Sequence, residues 1–249
     1  MFRFFSILLC FAGCLLTVSS AYAQSHLLPE YPRRFTVDGS LGATLASKGG
    51  TDGGIVPLQR WGSTSSSGLV TALHAEYCFP GSPFSVKAGY EHEEINMLHG
   101  DVSSNLSELM AGGRWYMAPN EWLFQPFLGG DVLYAPGADR GSCNMQSSSM
   151  GYTYRFSGVA NMPRVSLGPV VGADIYVFSC VALQLTYSYR FGIDSKVSGV
   201  YTDNQSSHTT AATAHVNRHV LTMGLKVTFP FTFNRHDTNI LLRSLLDEN

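Results

Sequence analysis

An alternation of apolar and polar residues with period two, repeated in eight stretches, constrains this chain more than any other feature of its sequence. Successive side chains of a strand point to opposite faces, so each stretch reads as a strand with one apolar and one polar side. Phe35 to Ala46 sets Phe35, Val37, Leu41, Ala43 and Leu45 against Thr36, Asp38, Ser40 and Thr44. Gly68 to Cys78 sets Leu69, Leu73, Ala75 and Tyr77 against His74 and Glu76, and Phe84 to Glu93 sets Phe84, Val86, Ala88 and Tyr90 against Ser85, Lys87, Glu91 and Glu93. Ser107 to Met117 and Trp122 to Tyr134 repeat the pattern around Glu108, Arg114 and Asp131. The sixth stretch opposes Val165, Leu167, Val171, Ala173, Ile175 and Val177 to Arg164, Ser166 and Asp174. The seventh, Val181 to Phe191, carries Gln184, Ser188 and Arg190 on its polar face, and the eighth, His219 to Phe233, carries Thr222, Gly224 and Lys226.

The connections alternate as strictly as the strands. Pro80 to Pro83, Ala118 to Glu121 and Phe178 to Cys180 are tight turns. Ser47 to Ser67, Ile95 to Asn105, Ala135 to Pro163 and Ile193 to Asn217 are long and rich in Gly, Ser, Thr and Asn. A soluble sandwich does not need all its long loops at one end, and its polar face would meet water. An even number of strands, with short turns at one end, long loops at the other, an apolar outside and a polar lumen, predicts an all-β, eight-stranded antiparallel up-and-down barrel that crosses a bilayer. Aromatic residues fall in two groups, Tyr77, Phe79, Phe84, Trp115, Trp122 and Phe124 near the turns and Tyr90, Tyr134, Tyr187, Tyr189 and Phe191 toward the loops. That is the pattern of two interfacial girdles.

Composition closes other routes. Only 14% of residues are charged, against about 25% in an ordinary soluble domain, and Lys+Arg 16 against Asp+Glu 18 gives a net charge of -2, so no basic nucleic-acid surface is expected. Arg3, the apolar run Phe4 to Val18 and Ala21-Tyr22-Ala23 read as a cleaved export signal, residues 1–23. An alternative lipid-attachment reading uses Phe11-Ala12-Gly13-Cys14, but leaves a very short apolar run. Residues 24–34 then form a periplasmic N-terminal segment, 35–233 the barrel, and 234–249 a periplasmic tail in which Asp237 or Thr238 could cap a short amphipathic helix.

The lumen of an eight-stranded barrel is just wide enough to be filled by side chains. The interior is expected to hold Asp38, Glu76, Lys87, Glu91, Glu93, Glu108, Arg114, Asp131, Arg164, Asp174, Arg190 and Lys226. Charges at low dielectric must be paired, so a zipped polar core is expected rather than an open pore. Counting through the loops places Asp131 near Arg164, Asp38 beside Glu76 and Lys87 beside Arg114, with Lys226 beside Asp38 across the closure. Cys78 and Cys180 should remain unbridged.

The last stretch, Thr222-Met223-Gly224-Leu225-Lys226-Val227-Thr228-Phe229 followed by Phe231 and Phe233, resembles the C-terminal assembly signal of the small outer-membrane barrels of the OmpA-transmembrane and OmpX type. The resemblance covers Phe35 to Phe233; the chain departs from it by continuing from Asn234 to Asn249. It implies an outer-membrane protein with a structural or surface-interaction role, whose Thr222, Gly224, Val227, Phe229, Phe231 and Phe233 are read by the barrel-assembly machinery. Outer-membrane lipid would surround the wall, and an extracellular surface or ligand would meet the long loops. The alternative is an OmpW-like passive route for small hydrophobic compounds.

No catalytic centre, cofactor site or metal site is expected. His208 with Ser206 or Ser207 lacks an orienting acid. His215 and His219 have zinc-helix spacing, but they enter a strand and lack the accompanying glutamate. Gly49 to Gly54 reads as a mobile loop. Ala135 to Pro163 and Ile193 to Asn217 mix Met145, Met150, Tyr152, Tyr154, Phe156 and Tyr201 with small polar residues, as adaptable contact loops do. The competing reading is a strand pair beyond the membrane, with Tyr152, Tyr154 and Phe156 stacked by period two.

Overall fold

The computed structural model describes residues 34–46, 50–52, 67–97, 102–118, 122–149, 152–203 and 209–230. The expected signal peptide, the C-terminal tail, and Phe231 and Phe233 lie outside them. The described strands are β1 Phe35–Ala46, β2 Gly50–Asp52, β3 Ser67–Cys78, β4 Phe84–Met97, β5 Val102–Tyr116, β6 Phe124–Tyr134, β7 Arg140–Ser149, β8 Tyr152–Asn161, β9 Val165–Phe178, β10 Val181–Ile193, β11 Lys196–Asp203, β12 Thr209–Ala214 and β13 Arg218–Phe229.

Eight of these strands close a barrel in the order β1, β13, β10, β9, β6, β5, β4, β3, with neighbours antiparallel throughout. Closure runs through β1 and β13, where Phe35 stands opposite Phe229, Asp38 opposite Lys226 and Ala46 opposite Arg218. The period-two sequence decides which side of the wall each residue takes. On β1, Leu41 is 63% exposed, whereas Asp38 is 1% exposed. Leu73, Leu221, Met223 and Leu225 are likewise exposed on the outside, while Glu76, Glu91, Asp174 and Lys226 are buried within. Soluble proteins do not leave so continuous an apolar surface in water. Only hydrocarbon can cover it, so the barrel spans a bilayer.

Aromatic rings mark both ends of that apolar band. Phe35 and Phe229 approach to 6.3 Å and Tyr77 meets Phe79 edge-on at 5.4 Å near the turns, where Phe84, Trp115 and Trp122 are also exposed. Toward the other end Tyr189 meets Phe191 at 4.6 Å, and Tyr90 and Tyr134 are exposed.

The long connections form strands, as the competing reading of Ala135 to Pro163 expected, and go beyond a single pair. A second, five-stranded sheet in the order β2, β12, β11, β8, β7 is built from them, with Tyr201 opposite Phe156 and Met145 opposite Phe156 in register. Even the glycine-rich segment near Gly50 contributes β2, against Ala211 to Thr213 of β12. Such strands escape a search for apolar alternation because neither of their faces meets lipid. β7, for example, reads Arg-Gly-Ser-Cys-Asn-Met-Gln-Ser-Ser-Ser. The barrel strands also run past the expected limits, β4 to Met97 and β5 from Val102.

The outer sheet is tied to the barrel mouth. Ser104 donates to Asp139 at 2.9 Å, and Arg140 pairs with Asp194 at 2.6 Å. Gly192, at the end of β10, has no room for a Cβ, which would fall 2.5 Å from the Val216 carbonyl and 3.1 Å from Pro163. Around this junction the lumen-facing Val70, Ile95, Leu106, Leu133 and Val220 are buried, as are Met162, Val197 and Val216 from the connecting segments. The lumen is therefore lined by apolar side chains at the end that carries the outer sheet.

Replacing Leu225 by Arg on the outer wall should destabilise the barrel by about 2–4 kcal/mol in urea unfolding from lipid vesicles. Val200→Arg, on an exposed position of the outer sheet, should change stability by less than about 0.5 kcal/mol in the same measurement.

Candidate functional site

The polar lumen is built in three levels, each crossing the barrel. At the turn end, Lys226 on β13 bonds both Glu76 on β3 and, at 2.7 Å, Asp174 on β9. Its ammonium also donates to the Tyr116 hydroxyl at 2.7 Å, and that hydroxyl lies 2.8 Å from Glu76 and 3.2 Å from Asp174. Ser85 donates to the second oxygen of Glu76. Gln184 donates to Asp174 at 2.8 Å and accepts from Lys87 at 3.0 Å, which links this level to the next. Apolar packing of Tyr116 with Phe127 and Val170, and of Tyr176 with Ala182 and Leu123, fills the space around these groups.

In the middle, Lys87 pairs with Asp38 at 2.8 Å. The imidazole of His74 stands between Asp38, 2.9 Å from Nδ1, and Glu91, 3.1 Å from Nε2. Arg190 on β10 then reaches Glu91 at 2.6 Å and Glu93 at 3.0 Å, both on β4. At the upper level Arg218 on β13 meets Glu93 at 3.4 Å and Glu108 on β5 at 3.1 Å, and donates to Ser166 at 3.0 Å. One further pair stands beside these levels, Arg114 with Asp131 in a two-point contact at 2.5 and 2.9 Å.

These links join opposite walls. In the closed order, β10 and β4 stand four strands apart, as do β13 and β5, and β3 and β9. Arg190 to Glu91 and Glu93, Arg218 to Glu108, Lys226 to Tyr116 and Lys87 to Gln184 are therefore diametric ties, and Lys226 draws together carboxylates of facing strands.

Eleven of the twelve expected interior charges are buried: Asp38, Glu76, Lys87, Glu91, Glu93, Glu108, Arg114, Asp131, Asp174, Arg190 and Lys226. Arg164 is the correction. It is exposed in the bend before β9, where its carbonyl accepts from Ala135 at 2.8 Å, so strand parity does not govern it. Asp131 bonds Arg114 instead, because Gly112 opposite Asp131 leaves open the space that the guanidinium crosses diagonally; a Cβ at Gly112 would strike the Asp131 carboxylate. Two other expected adjacencies shift by two residues along the strands. Thr36, not Asp38, stands opposite Glu76, and Ser85, not Lys87, stands opposite Arg114. Lys226 does stand opposite Asp38, yet its ammonium goes to Glu76 and Asp174 while Asp38 is held by Lys87 and His74.

Sequence reasoning missed Arg218 and undervalued His74. Arg218 precedes the first residue assigned to the last strand, but it shares the parity of Val220, Thr222, Gly224 and Lys226. Extending the alternation back by one residue would have placed it inside. Thr222, Gly224, Val227 and Phe229 all lie on β13, the closing strand. His219 faces outward, its Nδ1 2.8 Å from the Tyr187 hydroxyl and its ring 4.7 Å from that of Tyr189, at the rim. His215 contacts the Ser195 carbonyl at 3.3 Å. Cys78 and Cys180 are not joined by a disulfide.

No protein-family model matches the chain, and neither does the sequence of any curated protein. Among solved structures the fold is similar to Neisserial surface protein A, at 16% identity over 80% of this chain and 100% of that one, with a TM-score of 0.48. It is also similar to outer membrane protein AlkL, at 12% identity over 82% of this chain and 94% of that one, with a TM-score of 0.43. The Escherichia coli outer membrane protein W aligns at 15% identity over 80% and 100%, with a TM-score of 0.35. These likenesses concern fold alone.

Asp131→Ala strands the Arg114 guanidinium in the lumen and should cost about 3–5 kcal/mol in chemical unfolding. Arg164→Ala, which removes an exposed side chain, should stay within about 0.5 kcal/mol of the parent.

Proposed function

We propose that this chain is an integral outer-membrane protein of the Gram-negative type, exported by a cleaved signal, whose barrel anchors and displays the outer sheet in a structural or surface-interaction role. The observation that carries this reading is the set of diametric ties. Arg190 on β10 and Arg218 on β13 reach carboxylates on the opposite wall, and Lys226 joins those of β3 and β9, so the lumen is occupied by bonded side chains at three heights. A structure that fills its lumen in this way is a stable peg and a poor pore. Tight turns such as Pro80 to Pro83 then face the periplasm, and the sheet of β2, β12, β11, β8 and β7 faces outward. β13, with Thr222, Gly224, Val227 and Phe229, is the strand offered to the barrel-assembly machinery.

A second reading has one observation in its favour. The lumen end nearest the outer sheet, around Val70, Ile95, Leu106, Leu133 and Val220, is apolar, as an entry for small hydrophobic compounds would be. That route requires a side exit above the charged levels.

The protein should fractionate with outer-membrane markers and migrate at a heat-dependent position in gel electrophoresis; recovery in the soluble periplasm would refute it. In planar bilayers it should show no large steady conductance, and uniform channel openings would overturn the closed lumen. Protein-dependent uptake of a hydrophobic solute without ionic conductance would favour the second reading. Replacing Arg140–Asn161 and Lys196–Ala214 by short turns should leave membrane insertion intact while abolishing binding to surfaces or ligands. If every envelope phenotype survives that excision, the surface role fails and the barrel serves the membrane alone.

A further inference from the structure

We propose that the lumen contains a dedicated proton-binding site at His74, which is held as an imidazolium cation that bridges the Asp38 and Glu91 carboxylates. Both ring nitrogens face carboxylate oxygens at hydrogen-bond distance, Nδ1 toward Asp38 at 2.9 Å and Nε2 toward Glu91 at 3.1 Å. A neutral imidazole has one N–H and one lone pair, so it would satisfy one carboxylate and point its lone pair at the other. Only the imidazolium donates to both. Neither carboxylate offers a proton of its own to relieve that clash, since each holds a cation through its other oxygen, Lys87 on Asp38 at 2.8 Å and Arg190 on Glu91 at 2.6 Å.

Charge favours the same answer. The described lumen holds seven buried carboxylates, Asp38, Glu76, Glu91, Glu93, Glu108, Asp131 and Asp174, against five buried cations, Lys87, Arg114, Arg190, Arg218 and Lys226, so a cation at His74 reduces the excess of negative charge. The groups that face this region are Asp38 from β1, Glu76 from the same strand as His74, Lys87 and Glu91 from β4, Arg190 from β10 and Lys226 from β13. Gly89 stands opposite His74, and a Cβ there would meet the Leu73 carbonyl and, at 2.5 Å, the imidazole Cδ2. While it is protonated, the ring ties β1 to β4 across β3. Once the proton leaves, one carboxylate faces a lone pair and the tie is released.

In the full chain folded in detergent micelles with ¹⁵N-labelled histidine, assigned through backbone connectivities, both His74 ring nitrogens should resonate as protonated nitrogens at neutral pH. One protonated and one bare nitrogen would overturn the proposal. His74→Gln should lower the urea midpoint, and His74→Gln with Glu91→Gln should recover part of the loss because the pair removes one charge of each sign; a single variant as stable as the parent would also overturn it.

Discussion

Much of the described structure follows from placing ionised side chains on the inner face of a narrow barrel whose outer face is apolar. An eight-stranded barrel gives its interior only side-chain dimensions, and the apolar exterior leaves charged residues nowhere else to go. Burying one such ion alone costs several kcal/mol, so each must find a partner, and the partners lie across the lumen as often as along the wall. Lys226 illustrates the solution: its ammonium is shared by Glu76, Asp174 and the Tyr116 hydroxyl, which come from three strands spread round the barrel. Glycine at position 112 is part of the same solution, since it gives up a side chain so that Arg114 can reach Asp131.

The wall was legible because lipid imposes a strict rule on it. Leu41, Leu73 and Leu225 had to alternate with polar residues, and that periodicity revealed eight strands and the face on which Asp38, Glu76 and Lys226 lie. The pairing inside was not legible at the same level. Strand offsets shift partners by two residues without changing a single inward or outward assignment, so Asp38 opposite Glu76 was as good a reading of the pattern as Asp38 opposite His74. Arg164 failed for a different reason. It sits just before the first residue of β9, where alternation in the sequence no longer reports a strand. The outer sheet was legible only in β8, where Tyr152, Tyr154 and Phe156 alternate: β7 and β12 are rich in Ser, Thr, Gly and Ala, and their order comes from register with β8 and β11.

Two chemistries are stacked along the barrel axis. Charged levels occupy the lumen from Lys226 to Arg218, and buried apolar side chains, among them Ile95, Leu106 and Leu133, follow toward the outer sheet. Anchorage of the sheet uses a third, exposed chemistry, with Arg140 holding both the backbone and the carboxylate of Asp194. Salt screens such an exposed pair far more than the buried ones, so the outer sheet and the barrel answer to different solution conditions.

The diametric ties also have a mechanical meaning. A hydrogen-bonded cylinder resists stretching along its wall but flattens easily into an oval, because flattening needs little change in strand spacing. Arg190, Arg218, Lys226 and Lys87 act as spokes at successive heights, and any ovalisation must lengthen one set of ionic contacts while compressing another. Roundness is thus fixed from within. The rim that carries β7, β8, β11 and β12 inherits that rigidity, so changes in lateral pressure from the surrounding lipid reach the outer sheet only weakly.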